Sequence, residues 1–152
     1  MYKRLELHNH TNESDAVFTC KELTDFMVAD QVDAFALTDH NTISGHCKIK
    51  NYLKEHPQPI DFIPGMEYTT YYGHILCLNL TEYVPWENIN RHKPELLFRA
   101  ARKKGALVGV AHPYSFGWPF AQGCRFEMTI TDYSCCDFIE IFNNCLLYTS
   151  DA

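Results

Sequence analysis

No apolar run in these 152 residues approaches the length of a membrane span, and the N-terminus lacks the apolar region of a signal peptide. Neither a spanning helix nor a secretory signal is expected, and the expectation is a cytoplasmic protein with no membrane partner. Positive charge is also scarce, with 13 Lys and Arg against 19 Asp and Glu for a net charge of -6. That balance argues against nonspecific nucleic-acid or acidic-membrane binding. It leaves a phosphorylated substrate open, because bound metal ions can supply positive charge locally. Cys-x-x-Cys spacing is missing: the seven cysteines (Cys20, Cys47, Cys77, Cys124, Cys135, Cys136, Cys145) are odd in number and scattered. This excludes a zinc ribbon and a secreted disulfide scaffold and favours reduced, mostly buried thiols. Ser14, Ser44 and Ser115 lack a Gly-x-Ser-x-Gly context, which removes the nucleophile elbow. Repeats, low-complexity tracts and linkers are absent. The length fits one domain, and 46% hydrophobic against 21% charged residues allows a packed core.

Histidine is abundant, with eight in the chain. Two of them lie in Leu5-Glu6-Leu7-His8-Asn9-His10-Thr11. Alternating Leu5 and Leu7 predict a short, mostly buried strand. Residues i and i+2 of a strand project to one side, so His8 and His10 aim at one point. Two imidazoles converging from a rigid strand end are half of a metal site; a pair of surface histidines is the plainer alternative.

Thr19-Cys20-Lys21-Glu22 has the form of a capping box, followed by Leu23, Phe26 and Met27 at helical spacing and an end near Gln31. Val32 to Thr38 reads as a buried strand delivering Asp39 and His40. Thr42 or Ser44 opens a second helix, with Ile49, Tyr52 and Leu53 inward, that stops before Pro57. Ile60 to Glu67 and Gly73 to Leu80 read as strands, the second carrying His74. Pro94 starts a third helix with Leu96, Leu97, Ala100 and Ala101 inward. Its basic end (Arg99, Arg102, Lys103, Lys104) reads as solvated, and Gly105 stops it. Ala106 to Ala111 is a strand leading into His112. Residues 113–127 form an aromatic, glycine-containing loop, a short turn lies around 131–135, and Asp137 to Asn143 is a strand carrying Glu140. Strands alternating with helices predict a parallel α/β sheet or barrel.

His8, His10, His40, Glu67 and His112 fall at strand ends, with Asp15 on the first loop. His74 lies early in its strand and approaches Glu67 if the chain folds back through Tyr71-Tyr72-Gly73. Parallel α/β folds place ligands at the C-terminal strand ends. A mixed His/carboxylate set suits Zn²⁺, Mn²⁺ or Fe²⁺ better than Ca²⁺ or Mg²⁺. For Asp15 a turn or capping role is the alternative. His46, His56 and His92 read as surface or packing residues. Tyr71, Tyr72, Tyr114, Phe116, Trp118 and Phe120 either wall an aromatic pocket or pack loops. Arg125 receives an anion or forms a surface ion pair, and Glu140 either backs a ligand or pairs with a helix.

His8-x-His10-Thr11, Asp15, Thr38-Asp39-His40-Asn41, Gly65-x-Glu67, His74, Ala111-His112-Pro113 and Glu140-x-x-Asn143 resemble, in order, the PHP (polymerase and histidinol phosphatase) family. The stretches LTDHNTISGH, IPGMEYTTYYGH and VGVAHPYSFG are most similar to its CehA/McbA-like branch. The resemblance implies an α/β fold, an incomplete, distorted (β/α)7 barrel with about six strands present. It implies two or three divalent metal ions (Zn, Mn or Fe): one held by His8 and His10, a second by His74 and His112 with Glu67 bridging, and a third by Asp15 and His40. Asp39 would orient a ligand; it and Glu67 are the expected catalytic residues. The implied activity is hydrolysis, by metal-activated water, of a small-molecule phosphoester or a carbamate or amide. The alternative is a non-catalytic metal-binding accessory module or inactive fragment. The family's late Asp-x-His is missing after His112, so residues 1–144 are read as a truncated PHP domain from a metagenomic fragment. Residues 145–152 resemble a translated sequencing adapter.

Overall fold

Period-two patterning sets the two faces of the sheet. A computed structural model of the chain describes residues 3–87, 90–115 and 125–141. Its strands are β1 (Leu5–Glu6), β2 (Ala34–Leu37), β3 (Asp61–Thr70), β4 (Gly73–Leu78), β5 (Leu107–Val110) and β6 (Phe138–Ile139). The helices are α1 (Cys20–Ala29), α2 (Gly45–Glu55) and α3 (Glu95–Lys103), with a 3-10 turn at Tyr133–Cys135. The strands form one six-stranded sheet in sequence order. Phe35 and Leu37 of β2 face the helix pair, packing with Cys20, Leu23 and Met27 of α1 and Ile49 of α2. Met66 and Tyr68, Ile75 and Cys77, and Val108 and Val110 form a second core with Leu97, Phe98 and Ala101 of α3. The alternate residues Ala36, Leu76, Leu78 and Ala111 cluster separately on the inner face.

A flat sheet would hold β1 and β6 about 24 Å apart at the usual strand spacing. Instead the His8 ring, just past β1, lies 2.9 Å from Glu140, just past β6. The sheet is therefore curled into an incomplete barrel, and its inner face is concave.

The parallel expectation holds for β1–β2, β2–β3 and β5–β6. It fails for β3–β4 and β4–β5, which are antiparallel. Thr70 to Gly73 makes a tight hairpin, leaving no room for a crossover helix. The first strand is a second correction: it spans two residues, with Leu5 49% and Leu7 36% exposed, because β1 is an edge with a neighbour on one side only. In α3, Leu96 is 64% exposed while Phe98 is fully buried. The inward face passes through Leu97, Phe98 and Ala101, one residue round from the expected stripe. In α1 the buried set is Cys20, Leu23, Thr24 and Met27, and exposed Phe26 stacks on Phe18 instead. The Thr19–Glu22 capping box is present with both hydrogen bonds. Residues 116–124 of the aromatic loop and 142–143 of the expected last strand lie outside the described residues.

Close strand approach explains Gly65. A Cβ there would meet the Cys77 carbonyl at 2.7 Å, Thr38 Cγ2 at 2.9 Å and the Leu37 carbonyl at 3.1 Å. Two of these are backbone atoms of neighbouring strands and cannot swing aside. Gly65→Ala is expected to destabilise the fold by about 1–3 kcal/mol, read as a lower urea midpoint.

Candidate metal centre

The concave face collects its histidines through backbone devices that start in the sequence. Asn9 lies between His8 and His10. Its N–H donates to Thr38 Oγ1 at 3.0 Å, and its side-chain amide donates to the carbonyls of Glu6 and Ala36, both at 3.1 Å. Thr38 N–H returns a bond to the Asn9 carbonyl at 2.9 Å. The extension of β1 is thus stitched to β2 by the residue that points away from the site. Asn41 adopts a left-handed φ of +54°, tolerable for asparagine. Its amide donates to the Thr69 carbonyl at 3.1 Å and accepts from Thr69 N–H at 3.0 Å. That clamp holds His40 against β3, where it forms a parallel bridge with Glu67. The hairpin sets Thr69 opposite His74, so His74 is a diagonal neighbour of Glu67 on the same face.

Glu67 is fully buried at the centre. Its Oε2 lies 3.0 Å from His8 Nε2, 3.2 Å from His10 Nε2 and 3.2 Å from His40 Nδ1. Its Oε1 lies 2.8 Å from His74 Nδ1 and 3.0 Å from His112 Nε2. Asp15, largely exposed, stands at the mouth with Oδ2 3.4 Å from His40 Nε2 and Oδ1 3.9 Å from His10 Nδ1.

Burial works to raise the Glu67 carboxyl pKa, but hydrogen bonds from His10, His112, His74 and His8 outweigh it and hold it well below the ordinary 4.5. Burial likewise works to lower the His8 imidazolium, but Glu140 and Glu67 lift it from 6.5 to about 10. Burial lowers His40. Within this packed cluster, His10 Nδ1 and His74 Nε2 are buried with no hydrogen-bond partner among the described residues. Buried polar atoms without partners are costly; a cation resolves nitrogen lone pairs that no proton donor reaches.

Among the described residues, three sets have donor atoms all within 4.8 Å of one another: His8, His10 and Glu67; His10, Asp15 and His40; His40, Glu67 and His74. Ligands about 2.0–2.1 Å from an ion and 90–110° apart sit about 2.8–3.4 Å from each other. The nitrogen-to-oxygen spacings around Glu67 fall close to that range. Imidazole with carboxylate is the donor chemistry of borderline divalent ions.

The sequence profile of the PHP domain matches residues 6–112, more than half of the chain. The chain belongs to the PHP domain family. An uncharacterized protein of Methanocaldococcus jannaschii is 28% identical over 151 residues, which cover 92% of this PHP domain chain and 81% of that protein. The 5'-3' exoribonuclease Rnm of Escherichia coli is 30% identical over 116 residues, covering 69% of this chain and 40% of the enzyme. The fold is similar to that of a Bacteroides vulgatus two-domain protein containing a predicted PHP-like metal-dependent phosphoesterase, with a TM-score of 0.69 at 21% identity. That likeness covers 91% of this chain and 44% of the solved one. The PHP domain chain thus spans less than half of the exoribonuclease and of the solved protein.

Of the residues expected in the PHP site, His8, His10, His40, Glu67, His74 and His112 meet within direct contact distance of Glu67 or are Glu67 itself, and Asp15 stands beside them. Asp39 braces the loop that carries Asp15. It is buried, and it accepts from Thr11 N–H at 2.6 Å, Thr11 Oγ1 at 2.7 Å and Ser14 Oγ at 2.7 Å. Among the described residues its hydrogen bonds run to the loop that carries Asp15, not to a histidine. Asp39→Asn removes the charge and places an amide NH2 opposite at least one of those donors. It is expected to cost about 1–3 kcal/mol, read as a lower thermal midpoint of the metal-free chain.

Thr69 was missed: its Oγ1 is hydrogen-bonded to His40 Nδ1. Period-two spacing in a strand that runs on past Glu67 places Thr69 on the same face and is the signal that could have exposed it. His46 is a packing residue, its Nε2 lying 2.8 Å from the Gly65 carbonyl, while His56 and His92 are exposed. Tyr71 and Tyr114 stand in solvent rather than walling a pocket. Phe116, Trp118 and Phe120 lie outside the described residues.

Proposed function

We propose that this PHP domain is the metal-binding part of a hydrolase, acting on a small phosphoester with divalent ions held on the two sides of Glu67. The observation that carries this is the division of imidazoles between the two Glu67 oxygens: His8, His10 and His40 at Oε2, His74 and His112 at Oε1. The first and third donor sets share Glu67 and no imidazole, so both could be filled together; in the third, His40 from the Oε2 side would join His74 from the Oε1 side. The middle set draws on His10 and His40 again, so a third ion at Asp15 competes for their rings. Zn²⁺, Mn²⁺ and Fe²⁺ all suit the donors. When bound, such ions lower the pKa of water and neutralise charge developing on the substrate oxygen. Burial of Glu67, His74 and His112 limits water on the inner side of the cluster, and exposed Asp15 marks its open side.

A carbamate or amide substrate is the second reading, favoured by the resemblance of LTDHNTISGH and its companion stretches to the CehA/McbA-like branch. The exoribonuclease relatives add an RNA phosphodiester as a third substrate, against which the net charge of -6 weighs. A cytoplasmic location remains part of the proposal. Separately, no helix among the described residues is long and apolar enough to cross a membrane. Residues 1–144 are proposed as part of a PHP barrel that lacks its Asp-x-His. Residues 145–152, proposed as adapter-derived, lie outside the described residues.

The test is metal content by mass spectrometry, followed by hydrolysis of p-nitrophenyl phosphate, 1-naphthyl carbamates and a short oligoribonucleotide with and without added Mn²⁺ or Zn²⁺. Metal-dependent turnover of the phosphate ester is the expected result. Turnover of the carbamate or RNA alone reassigns the substrate. Tight metal without turnover, including in a chain extended through the Asp-x-His, favours the accessory module.

A further inference from the structure

We propose that Glu140 is a positioning residue that fixes which nitrogen His8 turns toward the metal centre. The inference rests on the metal-centre reading above and extends it to a residue outside the three donor sets.

His8 is carried by the weakest element of the sheet. β1 is two residues long, pairs on one side only, and has exposed leucines on either side of Glu6. Little in β1 itself dictates how the His8 ring is turned. Glu140 supplies that constraint from the opposite edge. Its own N–H donates to the Val110 carbonyl at 2.9 Å, fixing its backbone on β5. Its Oε1 lies 2.9 Å from His8 Nδ1, and both side chains are largely buried, 14% and 8% exposed. The opposite ring nitrogen, His8 Nε2, lies 3.0 Å from Glu67 Oε2 and 3.1 Å from His10 Nε2.

A neutral imidazole has one N–H and one lone pair. A carboxylate can only accept, so when His8 gives up a proton to become a ligand the remaining N–H sits on Nδ1, and the Nε2 lone pair faces inward. That is the carboxylate–histidine–metal arrangement, in which the outer carboxylate fixes tautomer and ring angle together. The second Glu140 oxygen accepts from His112 N–H at 2.9 Å. His112 has a φ of +26°, a strained value for a residue with a side chain. One carboxylate thus braces a histidine from β1 and the main chain of another that follows β5.

The test uses the full chain loaded with Zn²⁺ and labelled with ¹⁵N-histidine. Long-range ¹H–¹⁵N spectra should show His8 ligated through Nε2 with its proton on Nδ1. Competition against a chelator should show Zn²⁺ affinity falling about 10–100-fold in Glu140→Gln and Glu140→Ala, with partial recovery in Glu140→Asp. Thermal unfolding of the metal-free variants confirms that the chains compared are folded. Ligation of wild-type His8 through Nδ1 overturns the proposal. So does wild-type affinity, within twofold, in Glu140→Ala. If the variants do not fold, the wild-type spectrum alone decides. A wild-type chain that takes up no Zn²⁺ fails the underlying metal-centre reading, a result distinct from a wild type that binds and a Glu140→Ala that binds equally.

Discussion

Glu67→Gln is expected to lower metal affinity by more than about 100-fold, since even outer carboxylates of a metal site contribute 10–100-fold, and to abolish metal-dependent hydrolysis. The substitution keeps the volume of the side chain and removes its charge. It also replaces one acceptor oxygen with an amine. That amine would face either the His74 and His112 nitrogens at 2.8 and 3.0 Å or the His8, His10 and His40 nitrogens at 3.0–3.2 Å. Either choice turns one side of a shared ligand into a donor aimed at lone pairs. Metal content and chelator competition measure the loss; wild-type stoichiometry in the variant would show that Glu67 is not shared between ions. The metal-free chain carries a linked signature. The Glu67 carboxyl is held below its ordinary 4.5, so it contributes stability above that pH and loses it as pH falls through the depressed value. Glu67→Gln should flatten that part of the acid-unfolding profile.

Divalent metal is expected to raise the thermal midpoint by about 5–10 °C when free ion stands at 100 times its dissociation constant. Binding to the folded state alone stabilises by about 2.7 kcal/mol at that ratio, and a domain of this size shifts by about 2–4 °C per kcal/mol. The chemistry of the cluster adds a pH dependence. His8 holds its proton up to about 10 in the metal-free protein, so an ion arriving at pH 7–8 must displace it. The stabilisation should therefore grow with pH across that range, and metal uptake should release protons into the buffer. A chelator should reverse the shift. A midpoint insensitive to Zn²⁺, Mn²⁺ and Fe²⁺ would remove the metal centre from the account of this fold.

Local chemistry was legible in the sequence wherever neighbours in the chain are partners in space. The Thr19–Glu22 capping box closes within one helical turn. His8 and His10 share a side because extended backbone has a period of two. The fold-back through Tyr71 to Gly73 brought His74 beside Glu67 because a tight hairpin leaves the chain no other course. The identity of the chain as a PHP domain was legible for the same reason, since its motifs are short and continuous.

What the sequence by itself determined was the set of residue types able to hold a cation and the end of each strand at which they appear. Tertiary structure alone decided the rest. It made β1 an exposed edge and turned β5 antiparallel to β4. It set Glu140 behind His8 and Thr69 beside the His40 nitrogen that faces Glu67, and turned Asp39 toward the loop that carries Asp15. Each of these depends on which strands pair and how far the sheet curls. Pairing and curl are sums over contacts distant in sequence, and no local pattern of apolar and polar residues encodes them.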